Sequence, residues 1–263
     1  MPRRLRALSF FLLALAACRP DTVDLAYRFA EGSRQYRLEA SIQSRWDIGA
    51  SGSGSCHVVL DVSEEVREQT DETAVVEVAM EPVEVEEEGL GCPRGGGFTL
   101  EVDPNGRVLQ VLEVGGVDAT ELAQEEVAFI GTYRPTLPGS PVALGDVWQS
   151  APQPEVGSIA QLATQGELES LYMADDGPVA ELSYGGKGPL EWQTQLPQGS
   201  AGLAGTAETE ATATFDIERG VLLAASSVLS GDFDVRVLPS SGGRTPLTGR
   251  LSLDLELTVS ASD

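Results

Sequence analysis

The chain has 263 residues, of which 41% are hydrophobic, and its 41 acidic against 17 basic side chains give a net charge of −24 at pH 7. This charge repels nucleic acid and anionic lipid headgroups, so it argues against a nucleic-acid-binding protein and against membrane contact through a basic patch. The apolar content excludes a disordered chain. The single histidine excludes a histidine-rich metal site.

The first 18 residues combine a basic start with a short apolar stretch. Three arginines among residues 1–6 precede an apolar run over residues 7–17, which is the pattern of a secretory signal. The run is too short to span a bilayer, which takes about 20 residues. It ends in Leu15-Ala16-Ala17-Cys18, which resembles the lipobox of bacterial lipoproteins.

This resemblance implies a cellular location for the protein. In such lipoproteins the signal, here residues 1–17, is removed, and Cys18 receives a diacylglyceryl group and a further acyl chain such as palmitate. Two or three chains give a lasting anchor, whereas one is marginal. The protein would then be anchored in the cell envelope and face outside the cytoplasm, and in a Gram-negative cell Arg19 in place of an aspartate implies the outer membrane. An ordinary signal or an uncleaved anchor is the alternative.

Residues 18–30 are expected to form a lipidated tether, and alternating apolar and polar side chains after it predict half-buried strands. In the first half this pattern occupies residues 33–43, 58–62, 74–80, 98–102 and 108–114. The sequence Asp103-Pro104-Asn105-Gly106 favours a β-turn over half of a calcium loop, so 97–114 is predicted to be a hairpin. The acidic run 84–88 is expected to be a solvated face, with weak divalent-cation binding as the alternative.

One short helix is predicted near 118–130, where apolar residues fall at helical spacing before Gly131. A proline-rich stretch follows and marks the best boundary between a first β-rich half (31–150) and a second (151–263). Residues 70–80 are similar to 174–184, and 102–109 to 215–222. An internal duplication and the general likeness of β-hairpins both account for this similarity.

The last strand pattern has leucine or valine at every second position of residues 251–259, between polar residues. This is typical of an antiparallel sheet with one solvated face. A parallel α/β fold would need helices between the strands. The sequence therefore predicts a mainly all-β fold with a curved antiparallel sheet, as a half-barrel or as two similar lobes that can pack as one domain.

Two cysteines are left after Cys18. Cys56 and Cys92 form an even pair, which in an oxidising compartment predicts a disulfide. Both lie beside glycine-rich stretches that make poor strand interiors, so a covalent link there is expected to stabilise the fold. A catalytic or metal-binding cysteine pair lacks partner residues.

Residues for catalysis are sparse. His57 is the only histidine, no GxSxG motif is present, and no CxxC or HExxH motif provides metal ligands. No catalytic residue, metal ligand or cofactor is therefore predicted. Trp46, Trp148 and Trp192 are expected to fill the core, with the lining of a ligand groove as the alternative.

The segment PGSPVALGDVW, residues 138–148, is similar to a stretch found in uncharacterised secreted β-rich bacterial proteins. The resemblance implies membership in a family of unknown function. Within the segment, Gly145 is expected to turn the chain and Trp148 to fill the core of the strands that follow.

The functional expectation is a non-enzymatic, membrane-anchored binding or carrier protein for a hydrophobic ligand or an envelope partner. In its general features the chain is similar to exported lipoproteins that have half-barrel folds and carry lipids. This is an analogy at the level of the fold alone. The alternatives are a hydrolase that uses two carboxylates and a structural or adhesive envelope protein.

Overall fold

A computed structural model describes residues 22–29, 32–93, 95–118, 134–150, 162–196, 199–239 and 246–262. In these residues the chain forms one large curved antiparallel sheet that does not close into a barrel. The predicted all-β fold is confirmed. The helix predicted near 118–130 lies outside the described residues except for Asp118, which ends a short strand.

The sheet has 12 strands. They are β1 (Ser33–Ile48), β2 (Ser51–Gln69), β3 (Ala74–Glu88), β4 (Gly96–Val102), β5 (Val108–Val114), β6 (Val117–Asp118), β7 (Val147–Ser150), β8 (Thr164–Ala174), β9 (Gly177–Leu196), β10 (Gly199–Asp216), β11 (Val221–Pro239) and β12 (Leu247–Ala261). Their order across the sheet is β6-β5-β4-β3-β2-β1-β12-β11-β10-β9-β8-β7, with all neighbours antiparallel. Two six-stranded meanders, β1–β6 and β7–β12, thus join side by side where β1 pairs with β12.

A shift of six strands relates the two meanders. It maps the hairpin β4–β5 onto β10–β11, and both hairpin turns begin at an aspartate, although the first closes from residue i to i+3 and the second from i to i+4. The amide of Gly106 donates to the carbonyl of Asp103, and the amide of Gly220 donates to the carbonyl of Asp216. Both aspartates are buried, and their carboxylates accept further amide hydrogen bonds from the turn. The topology agrees with the similarity of the two sequence segments and extends it to whole strands.

Alternation along the strands gives the sheet an apolar inner face and a polar outer face. The fully buried side chains of the inner face are Val58, Leu60, Val62, Val76, Val78, Leu100, Val102, Val108, Leu168, Ala180, Leu182, Phe215 and Leu222. Both meanders contribute to this one core. On β3, the acidic run 84–88 is exposed along its whole length, as predicted for a solvated face.

Residues 22–29, here called the strap, cross the inner face beside residues 134–146, called the crossover segment. Val23 and Val142 exchange two backbone hydrogen bonds of 2.8 and 2.9 Å. The strap also bonds both meanders, because the amide of Tyr27 donates to Pro104 and the amide of Arg28 to Gly220. Each bond ends at one of the two related hairpin turns.

The strap differs from the predicted tether. Its alternate side chains Leu25, Tyr27 and Phe29 are at most 4% exposed and belong to the core. Apolar side chains at every second position bury one face of an extended segment, which a solvated tether does not need. The described part of residues 18–30 is therefore structural from Val23 onward.

Cys56 and Cys92 form the predicted disulfide, with their Cα atoms 5.3 Å apart. It links the middle of the inner face of β2 to the loop after β3. The backbone amide of Cys92 donates to the Glu87 carboxylate at 3.2 Å, which fixes the same loop a second time. The glycine-rich flanks are thereby held against the sheet.

Gly220 is expected to tolerate no side chain, because two constraints meet there. Its φ is +62°, and an added Cβ would lie 2.7 Å from the strap amide of Arg28. We expect Gly220→Ala to lower the free energy of unfolding by about 2–4 kcal/mol, as the left-handed backbone and overpacking costs add.

Gly115→Ala is the matched control for this prediction. Gly115 has a φ of +59° with nothing within 4 Å of an added Cβ. Its substitution should cost only the backbone strain of about 1–2 kcal/mol. Equal losses in urea denaturation of the two variants would show that the strap contact adds nothing to stability.

Candidate functional site

A row of leucines runs along the inner face of β12 in the middle of the sheet. Its members, here called the leucine row, are Leu251, Leu253, Leu255 and Leu257. They pair laterally with inner-face residues of β1 and β11, for example Leu255 with Ile42 and Leu229. All four are only half-buried, whereas Val259, next along the strand and closest to the strap, is 1% exposed. The inner-face side chains of β12 are thus less deeply buried away from the strap.

Small residues occur on the inner face of the second meander, two and three strands away from the leucine row. They are Gly186 and Gly188 of β9 and Gly205, Ala207 and Ala211 of β10, with Leu190 and Thr209 among them on the same face. Other side chains lie over the glycines: the buried Phe233, which pairs with Leu251, lies over Gly205, and Thr164 and Leu162 lie over Gly186 and Gly188. The leucine row is thus a partly exposed strip at the side of a surface that is otherwise partly filled.

An aromatic cluster lies where the strap and the crossover segment meet the sheet. Its members are Tyr27, Phe29, Trp148 and Tyr184. The Trp148 and Tyr184 rings pack edge to face with centroids 5.9 Å apart. The hydroxyl of Tyr27 donates to the carbonyl of Pro135 at 3.0 Å, and the indole of Trp148 donates to the carbonyl of Thr136 at 3.4 Å. Both bonds satisfy carbonyls of the crossover segment.

The Tyr184 hydroxyl is the exception in this cluster. It is buried and has no hydrogen-bond partner in the described part of the chain. A buried hydroxyl without a partner costs about 1–3 kcal/mol. Burial also raises the pKa of Tyr184, and it raises the pKa of Tyr27 well above its usual value, with a further rise from neighbouring Tyr184. Both phenols therefore keep their proton and can act as hydrogen-bond donors.

A buried ion pair fixes the crossover segment to the first meander. The Nε of Arg134 lies 3.0 Å from the Oε1 of Glu64, and a second guanidinium nitrogen contacts the same oxygen. The guanidinium also lies over the Phe29 ring, 5.6 Å from its centroid. Its charge is thus shared between a carboxylate and an aromatic face, which offsets part of the desolvation that burying two charges costs.

His57 lies on the outer face among polar residues. Its Nδ1 is 3.1 Å from the Oγ of Ser41, and its Nε2 is 3.9 Å from Glu39. A shallow depression of about 350 Å³ borders this group, with the Cys56 backbone and residues 86–88 along its rim. The sequence did not single out Ser41 or Glu39, because cross-strand register brings them to His57.

The backbone amides around this serine, histidine and glutamate take part in strand pairing. An acyl-transfer site needs backbone or side-chain donors aimed at a developing oxyanion. Ser41 lies in the middle of β1, which is paired on one side with β2 and on the other with β12. The amides around Ser41 therefore take part in the ladders, and the outer face offers none of them to a substrate.

Neither a cluster of candidate metal ligands nor a long apolar helix is found in the described residues. No group of three or more histidine, cysteine, aspartate or glutamate side chains is placed there to hold a metal ion. In the same part of the chain, no helix has the length and hydropathy needed to cross a membrane. Cys18, the predicted lipidation site, lies outside the described residues.

The comparisons with known proteins give no relative. No family model matches the chain, and no curated protein matches it significantly. The functional argument therefore depends on the site itself.

Two of the three tryptophans can be assigned. Trp148 packs against the core from β7 after a turn in which Gly145 has a φ of +80°, as predicted for both residues. Trp46 of β1 is half-buried and covers Gly52 of β2. The side chain of Trp192 lies outside the described part.

The Glu64–Arg134 pair gives a direct test of the energetics. Arg134→Met leaves Glu64 buried without its charge partner, and we expect the free energy of unfolding to fall by about 3–5 kcal/mol. The double variant Glu64→Leu/Arg134→Met should recover most of this loss, because Leu168 fills the related position of the second meander. Chemical denaturation measures both.

The exposed pair Lys187–Glu208 is the control. Lys187→Met should change stability by less than about 1 kcal/mol. If the double variant is as unstable as Arg134→Met alone, then the Glu64 charge left without Arg134 is not the main cause of the lost stability.

Proposed function

We propose that this protein is an exported, lipid-anchored binding protein that holds a ligand with a long apolar part against its inner sheet face. The leucine row carries the proposal. Four leucines in line, each half-buried, extend an apolar core beyond the side chains that cover it. Their accessible area is worth about 25 cal/mol per Å² when an apolar partner removes it from water.

The shape of this surface favours an extended apolar chain over a compact ligand. Alternate residues of one strand are about 6.6–7 Å apart, so the row from Leu251 to Leu257 is about 20 Å long. On the adjacent strand β11, Leu229 and Phe233 border the row with further apolar side chains, and Gly231 between them has none. A fatty acyl chain fits a strip that is long, narrow and apolar.

Tyr184 supports the proposal from the polar side. Ligand pockets combine an apolar lining with a few placed polar groups that fix orientation. The Tyr184 hydroxyl is a buried donor with its proton retained and without a partner in the described residues. The register places Tyr184 in line with Leu257, across Ser227 of β11 and Ala211 of β10. A ligand that crosses these two short residues would bring a carbonyl or ester oxygen to the hydroxyl.

Mass spectrometry of the protein released from its own membranes tests the anchor and the ligand together. We expect an added mass on Cys18 that survives denaturation, and a second, non-covalent mass that is present only in the native protein. Exposure to an envelope lipid extract should restore the second mass after it has been stripped. An unmodified Cys18 would overturn the anchor, and a bare native protein after exposure would overturn the ligand.

Leu255→Ser, in the middle of the leucine row, is expected to abolish the non-covalent mass, because it puts a hydroxyl under the apolar chain. Val228→Ser is the matched control, since Val228 is 50% exposed on the outer face of the adjacent strand. Circular dichroism checks that both variants fold. Equal ligand retention by the two would place the ligand elsewhere.

Tyr184→Phe separates stability from binding. Removal of an unsatisfied buried hydroxyl should raise the free energy of unfolding of the ligand-free protein by about 1 kcal/mol. The same change should weaken ligand retention, because the ligand loses its donor. Tyr27→Phe is the contrast, since Tyr27 already bonds Pro135 and its loss should destabilise. A Tyr184→Phe variant that is both less stable and unchanged in binding would refute this role.

A further inference from the structure

Four exposed apolar side chains lie at the β7–β8 edge of the sheet, and we call them the edge patch. They are Leu144 and Val147, which are 61% and 55% exposed, and Tyr172 and Met173, which are 44% and 76% exposed. The segment with the first pair is held to β8, because the amide of Gly145 donates to the carbonyl of Leu168. The second pair lies five and six residues beyond Glu167 along β8, toward its turn with β9, and its two consecutive side chains flank the edge from opposite faces of the sheet.

The strap begins beside this patch. Val23 is bonded to Val142, which is only two residues before Leu144. Cys18 is five residues before Val23, and an extended chain covers at most about 3.6 Å per residue. Five residues therefore span at most about 18 Å between the Cα atoms of Cys18 and Val23. A lipid on Cys18 cannot hold this end of the protein far from the bilayer surface.

The charges near the edge patch restrict the kind of surface it fits. Asp146 and Glu167 flank Val147, the latter as its partner across the strands, and residues 175–176 add two aspartates beside Met173. Anionic headgroups would be repelled by these carboxylates. Zwitterionic headgroups would not, and apolar side chains bury about 5–10 Å into the headgroup and acyl boundary.

We propose that the edge patch rests on the zwitterionic surface of the membrane that holds the Cys18 lipid. The inference depends on the proposed lipid anchor and adds which face of the fold meets the bilayer. It accounts for exposed apolar side chains at the side where the chain leaves the fold. The protein would then contact the membrane through its β7–β8 edge as well as through the lipid on Cys18.

Site-directed fluorescence on the full lipidated protein tests this contact. In Val147→Cys the new residue is the one free thiol, since Cys18 carries lipid and Cys56 pairs with Cys92. A polarity-sensitive dye there should shift to shorter wavelength in phosphatidylcholine vesicles and be quenched by brominated acyl chains. Leu144→Cys should behave in the same way. Val228→Cys, on the outer face of β11, should show neither change.

The mass of the vesicle-bound protein distinguishes failure of the edge-patch contact from failure of the proposed lipid anchor. Suppose that Cys18 is acylated and the dye responds at positions 144 and 147 no more than at 228. This result overturns the membrane contact of the edge patch but not the lipid anchor. A mass without acyl chains overturns the anchor and this inference together. Acylation with a response confined to 144 and 147 supports both. Stronger quenching in phosphatidylglycerol than in phosphatidylcholine would overturn the assignment to zwitterionic lipid.

Discussion

The pairing of β1 with β12 is the interaction on which the rest of the structure depends. It joins the first strand to the last through an antiparallel ladder from Tyr36 to Ile48. Without it the two meanders would be separate sheets, each with a long exposed edge. The leucine row would lose its neighbours on β1, and the strap would have no single surface to cross. Because this ladder closes almost the whole chain into one loop, its formation is expected to be slow compared with that of the local hairpins.

The two strands that join the meanders are long, and they hold different places in the six-strand repeat. β1 and β12 are 16 and 15 residues long. In the repeat, β1 corresponds to β7 and β12 to β6, so the central ladder pairs the strand that begins one meander with the strand that ends the other. This pairing therefore differs from the hairpin pairing within each meander, because its two strands are far apart in the chain.

The sequence predicts the faces of individual strands well, because period-two alternation depends only on local order. The hairpin 97–114 and the leucine pattern at 251–259 follow from it directly, and both are confirmed. Strand order does not follow, because it is decided by pairing between distant residues. The long strands β9 to β11 are rich in glycine, alanine, serine and threonine, so their alternation is weak in the sequence.

The candidate site was harder to predict than the fold, although some of its pattern was present. Glu64 occupies an inner-face position after Val58, Leu60 and Val62, and an acid at such a place indicates a buried charge with a partner. Its partner, Arg134, lies 70 residues away. Ser41 and His57 likewise meet only through the β1–β2 register. Such sites need the pairing scheme before they can be recognised.

The strap and the leucine row together give the proposed binding surface a direction. Near the strap the inner face is sealed, because Leu25, Tyr27 and Phe29 fill it and Val259 is fully covered. Toward Leu251 the cover decreases, so an apolar chain would slide in from the end opposite the strap. A chain that enters there would meet the strap, which is hydrogen-bonded to a hairpin turn of each meander, only at the far end of the row.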